Sequence, residues 1–174
     1  SFTISNLLIS KTQIFTGEIG LIVQGASNMI FNNLQVIGYT TGIVFENEAR
    51  VASSPSLNNT RIRNTSSTLR TESHGLDVLG AVGLTVNNAE IEEYDFGVYW
   101  NGLGTTDYRS TPSLNNTRIR NTSSTLRTVA KGVKMIDVSS VTMANDSIVG
   151  YPTGLEITND GSGLLTTTAS LNNT

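Results

Sequence analysis

The sixteen residues SLNNTRIRNTSSTLRT at 56–71 recur letter for letter at 113–128, and a third copy opens at Ser170 as SLNNT. The copies start at 56, 113 and 170, a period of 57 residues. In a chain of 174 residues, a verbatim period favours a row of stacked units over one globular core. A shorter period lies inside it. Glycines that precede an apolar-x-apolar triplet stand at 20, 42, 75, 97, 132 and 154, so that 20 to 42, 75 to 97 and 132 to 154 are each 22 residues. The gaps between these pairs are 33 and 35.

Upstream of the glycines runs a second element: two apolar residues one apart, a polar pair, then an alternating triplet. It reads MIFNNLQVI at 29–37, LTVNNAEIE at 84–92 and VTMANDSIV at 141–149, and SLNNTRIR is the same element. Aligned on it, Phe31, Leu57, Val86, Leu114, Met143 and Leu171 fall in one column, and Val36, Ile62, Ile91, Ile119 and Ile148 in another. Each unit therefore carries three short strands of period two, and a helical period fits nowhere. One 22-residue turn cannot bury its apolar face alone, so neighbours must stack.

This pattern, with Gly-apolar-x-apolar opening one strand and Asn-Asn joining two others, resembles the right-handed parallel β-helix of pectate-lyase-like proteins over nearly the whole chain. The resemblance implies an all-β solenoid, a single segment over 1–174 of about six coils of 22 and about 33 residues, with three strands per coil. In that family's terms the Gly strand corresponds to PB1, the strand through Phe31 or Leu57 to PB2, and the one centred on Val36 or Ile62 to PB3. The fold hosts lyases, hydrolases, adhesins and plain spacers, so it does not imply an activity.

Asn33, Asn59, Asn88, Asn116, Asn145 and Asn173 then occupy the PB2–PB3 bend of consecutive coils, with Lys11 the exception in the first. Asn tolerates the left-handed backbone of a sharp bend, and stacked amides bond along the axis. A structural asparagine ladder is expected. Beside it, Arg61 and Arg63 in one coil, Glu90 and Glu92 in the next, and Arg118 and Arg120 in the one after would form alternating rows of opposite charge. Identical RIR coils on successive rungs would repel, and the 57-residue period interposes EIE. The remainder of the copied stretch, 65–71, lengthens the PB3–PB1 turn, and longer excursions at 46–54, 101–110 and 158–167 lengthen the PB1–PB2 turn of alternate coils.

Enzymes that resemble this chain act on the PB1 face, whose outward column reads Ile22, Val44, Asp77, Tyr99, Lys134 and Glu156. Asp77, Lys134 and Glu156 are weak catalytic candidates. The two carboxylates stand three rungs apart, about 14 Å, beyond the reach of paired glycosidase carboxylates. Lys134 beside Glu156 reads as a cross-rung ion pair. No acidic cluster suggests calcium, although Glu46, Glu48 and Asp107 stand on nearby loops, and neither metal nor cofactor is expected. His74, the single histidine, reads as a surface residue, and Trp100 as an inward one beside Val98. Candidate ligand contacts are Tyr99, which would stack on a sugar ring, Asp107, and the loop arginines Arg70 and Arg127.

The outward PB2 face reads Ser54-x-Ser56-x-Asn58, Gly83-x-Thr85-x-Asn87 and Thr111-x-Ser113-x-Asn115, continuing through Ser140, Thr142 and Ala144 to Thr168, Ser170 and Asn172. Hydroxyl arrays of that spacing resemble ice-binding faces, though Gly83 and Ala144 interrupt this one. Eleven basic against fourteen acidic residues, a formal net charge of −3, speak against nucleic acid. No run suits membrane insertion, and zero Cys excludes disulfides and thiolate chemistry. Abundant Ser, Thr and Asn with three lysines suggest an extracellular or cell-surface excerpt of a longer protein, its open ends capped by further domains or stacked on neighbouring subunits. The expected role is a structural or adhesive repeat (stalk, adhesin or filament subunit) that contacts neighbouring coils or subunits and carbohydrate. A polysaccharide lyase or hydrolase is the first alternative and an ice-binding protein the second.

Overall fold

The computed structural model describes residues 2–11, 17–25, 28–47, 54–65, 72–80, 83–102, 110–123 and 128–159, together with the backbone of 168–172. Short alternating triplets become short strands, and the polar pairs between them become bends. The PB2 sheet contains β1 (Phe2–Ser5), β4 (Met29–Asn32), β7 (Ser56–Asn58), β10 (Thr85–Asn87), β13 (Ser113–Asn115), β16 (Ser140–Ala144) and β19 (Thr168–Asn172). The PB3 sheet contains β2 (Leu8–Ser10), β5 (Gln35–Ile37), β8 (Arg61–Arg63), β11 (Glu90–Glu92), β14 (Arg118–Arg120) and β17 (Ser147–Val149). The PB1 sheet contains β3 (Ile19–Gln24), β6 (Thr41–Asn47), β9 (His74–Gly80), β12 (Phe96–Asn101), β15 (Lys131–Ile136) and β18 (Thr153–Thr158). Each strand pairs in parallel with its counterpart one coil away, which makes the chain a parallel β-helix.

The register is the one the columns predict. Leu57 stands opposite Phe31 and Val86, and Ile91 opposite Ile62 and Ile119. Both columns run fully buried through the middle coils, where the PB1 side chains Leu76, Val78, Val98, Trp100, Val133 and Met135 close the third side. Trp100 is buried as expected, and its indole Nε1–H donates to the Ser110 hydroxyl.

The glycine column is a requirement of packing. A Cβ on Gly97 would lie 2.2 Å from Ile119 Cγ2 and 2.7 Å from the Gly132 carbonyl oxygen. Gly20, Gly42, Gly75 and Gly132 meet the same two neighbours, an aliphatic PB3 side chain and the next glycine's carbonyl. Only a residue without a Cβ lets the chain turn from PB3 into PB1 at this distance. Tyr94 lies against Gly42 and Gly75, and Tyr151 against Gly97 and Gly132, one tyrosine for each 57-residue period.

The Asn bends adopt left-handed φ angles at Asn33, Asn59, Asn88, Asn116 and Asn145, between 51° and 56°. That conformation turns each bend while its N–H still donates to the next coil, as from Asn88 to the Asn115 carbonyl at 3.0 Å. Side-chain amides bond along this column from Asn116 to Asn88 at 2.6 Å and from Asn88 to Asn59 at 3.3 Å. Asn173 lies outside the described residues. The first coil departs from expectation: Asn6, with φ 58°, fills the bend, and Asn33 donates to it at 2.9 Å. Lys11 therefore does not interrupt the ladder. It sits past β2, where its N–H donates to the Ile37 carbonyl.

Candidate functional site

The PB1 strands do not hold strict alternation, and this phase slip builds the site. In β9 both Gly75 and Leu76 turn inward and are buried, so His74 and Asp77, three residues apart, emerge on the same outer face. His74 Nδ1 lies 2.8 Å from Asp77 Oδ2. The same slip puts Phe96 with Tyr99, and Lys131 with Lys134, on one side of the sheet. Parallel register then stacks these pairs rung on rung.

The predicted column Ile22, Val44, Asp77, Tyr99, Lys134 and Glu156 forms in that order. Its members are not all equally open. Val44 is buried, whereas Ile22 is half exposed. His74 stacks face to face on Tyr99 with centroids 4.8 Å apart and an interplanar angle of 8°, and it meets Phe96 edge-on at 5.2 Å. Lys134 Nζ lies 5.7 Å from the Tyr99 ring centre, from the following coil. Tyr99 is thus held between an imidazole and an ammonium along the axis. Burial, with a smaller push from the Asp77 carboxylate, raises the Tyr99 hydroxyl above the ordinary tyrosine range.

Glu156 closes the column. Lys131 Nζ approaches it at 2.6 Å and Lys134 Nζ at 3.9 Å. The ion pair expected between Lys134 and Glu156 is the longer of the two, and Lys131, in register with Phe96 and so with the His74 column, is the tighter partner. Glu72, His74, Phe96, Tyr99, Val129 and Lys134 line a cavity of about 470 Å³ on this face. Its chemistry is three aromatic rings, one ammonium and one carboxylate. Asp77 and Glu156 stand at opposite ends of the stack, each engaged by a base, so they do not form a carboxylate pair for glycosidic hydrolysis. Among the described residues no three His, Cys, Asp or Glu gather as metal ligands.

The Arg–Glu rows form in the predicted register, Arg61–Glu90–Arg118 and Arg63–Glu92–Arg120. Glu92 is their hub and is only 1% exposed. Arg61 Nη2 donates to it at 2.9 Å, Arg120 Nη2 donates to its other oxygen, and Arg63 Nε lies 3.8 Å away. Arg61 Nε reaches Glu90 at 3.3 Å. Burial opposes the charged form of Glu92, but the hydrogen bonds from Arg61 and Arg120 outweigh it and hold the carboxyl below the ordinary glutamate range.

On PB2 the hydroxyl column places Ser56, Thr85, Ser113 and Thr142 side by side, and Ile30 breaks it one rung before Ser56. Its neighbour column, which alternation alone assigns to the outward polar face, holds a second amide ladder. Asn58 donates to Asn32 at 2.9 Å, Asn87 to Asn58 at 2.9 Å and Asn115 to Asn87 at 3.2 Å. Asp107, Arg70, Arg127 and Glu48, and residues 66–71 and 124–127 of the copied loop, lie outside the described residues.

A family model described as right handed beta helix region matches residues 1–174. No curated protein and no solved structure matches the chain.

Proposed function

The chain belongs to the right-handed β-helix family over its whole length, and from that premise we propose that it serves as an extracellular structural or adhesive repeat segment whose PB1 cavity contacts carbohydrate. One observation carries this reading. The side chains on PB1 that would do chemistry are spent on one another: Asp77 on His74, Tyr99 between His74 and Lys134, and Glu156 on Lys131 and Lys134. Such a column is a rigid face with ring edges and a cation set in a cavity, suited to holding a sugar rather than transforming it. The ladders serve the same end, since they stiffen the coil stack that displays the face.

A polysaccharide lyase is the second reading, favoured by His74. Its Nδ1 is tied to Asp77, which leaves Nε2 as the position from which an oriented base would act. Incubation with uronic-acid polymers, followed at the wavelength of unsaturated products, separates the two. The structural reading predicts binding without turnover, weakened in Tyr99→Ala. Sustained turnover abolished by His74→Ala would replace it with the lyase.

A further inference from the structure

The charge on the outer PB3 face does not balance. Four guanidinium groups, on Arg61, Arg63, Arg118 and Arg120, surround two carboxylates, on Glu90 and Glu92, in a chain whose net charge is −3. Glu92 is saturated by Arg61 and Arg120, and Glu90 takes Arg61. The two remaining arginines are exposed. Arg118 has no ion-pair partner among the described residues, and Arg63 reaches Glu92 only through Nε at 3.8 Å, with its side chain 46% exposed. Glu93, the acid next in sequence to Glu92, accepts from the Thr122 hydroxyl and N–H. The flanking strands β5 and β17 offer only Gln35, Ile37, Ser147 and Val149 on this face.

We propose that the outer PB3 face binds a linear polysaccharide that carries sulfate groups at the spacing of successive disaccharides, with Arg63 and Arg118 as its two anchors. The anchors sit at opposite corners of the patch, two rungs and two residues apart, about 12 Å on the diagonal. No single oxyanion bridges that distance, so the partner is a chain with spaced charges. Guanidinium is weakly hydrated and forks onto oxyanions, which suits the diffuse charge of a sulfate ester. A sparse polyanion is also the kind that an acidic protein repels least. The surface is on a different sheet from the PB1 cavity, and the inference does not depend on it.

The test is the affinity of the whole chain for chondroitin sulfate at low and moderate salt, beside chemically desulfated chondroitin and a single-stranded oligothymidylate. The expected result is sulfate-dependent binding that falls roughly 5- to 30-fold in Arg63→Gln/Arg118→Gln, with an unchanged melting temperature and a flatter salt dependence. Glu90→Gln, which removes a half-buried acid from the patch, should tighten binding. Equal affinity for the desulfated chain, unaltered binding by the double variant, or no binding at low salt would overturn the proposal. Tighter binding of the oligothymidylate would replace the polysaccharide with a nucleic acid.

Discussion

At the scale of single residues, identity is dictated by what one rung leaves for the next. Asn88 does two things at once: it holds φ at 53° and passes its amide between Asn59 and Asn116. Asn88→Ala loses both and should cost about 2–4 kcal/mol in urea unfolding, from the left-handed penalty of about 1–2 and two hydrogen bonds of about 0.5–1 each. Asn88→Gly keeps the backbone freedom and should cost less. The glycine column offers a sharper contrast. Gly97→Ala forces a methyl against Ile119 and the Gly132 carbonyl and should destabilise by about 1–3 kcal/mol or more. Gly154→Ala, whose methyl would meet only Ile148 Cγ2, at 3.9 Å, among the described residues, should be close to neutral by the same measurement.

At the scale of strands and columns, the copied RIR triplets act through the EIE between them. The carboxyl of Glu92 is held below the ordinary value of 4.5, so its stabilising effect is present above the unfolded-state pKa and is lost as pH falls through the folded one. Asp146 works the other way: burial raises its carboxyl, despite the Thr117 N–H it accepts at 2.7 Å, so its contribution favours acid. The two are separated by subtraction. The stability gap between the parent and Glu92→Gln should be about 1–3 kcal/mol at neutral pH and should shrink below pH 4.5. A gap that is constant with pH would mean that Glu92 contributes shape alone.

The same scale marks how much of the molecule was legible in its sequence. Column membership was readable because alternation and the fixed Gly and Asn positions leave one register, and Leu57, Ile62, Glu90 and Asn59 stand where alignment puts them. The His74–Asp77 contact was not, because period two assigns residues three apart to opposite faces. The signal was there in the Gly itself: Gly75 followed by inward Leu76 shifts the phase by one. Asn6 is hard to read from the sequence because SNL at 5–7 carries one Asn where most later coils carry two, so the ladder position falls on Lys11 by alignment. The burial of Glu92 depends on how long arginine side chains fold over a neighbour, which no linear pattern encodes.

At the scale of the whole molecule, a solenoid's stability is a sum of coils and of interfaces between them. The 57-residue period is then a transferable unit: two coils, one glycine pair, one buried tyrosine and one Arg–Glu–Arg junction. The molecule should accept another. Inserting a second copy of residues 56–112 ahead of Ser113 places SLNNTRIR after EIE once more, so the PB2 and PB3 interfaces repeat ones already present. The decisive measurement is urea unfolding of this 57-residue-longer chain beside the parent. A structural repeat predicts one transition with a higher midpoint and a steeper denaturant dependence, in proportion to the added buried surface. A lower midpoint, or a separate early transition for the added segment, would contradict the claim that the period is a stacking unit.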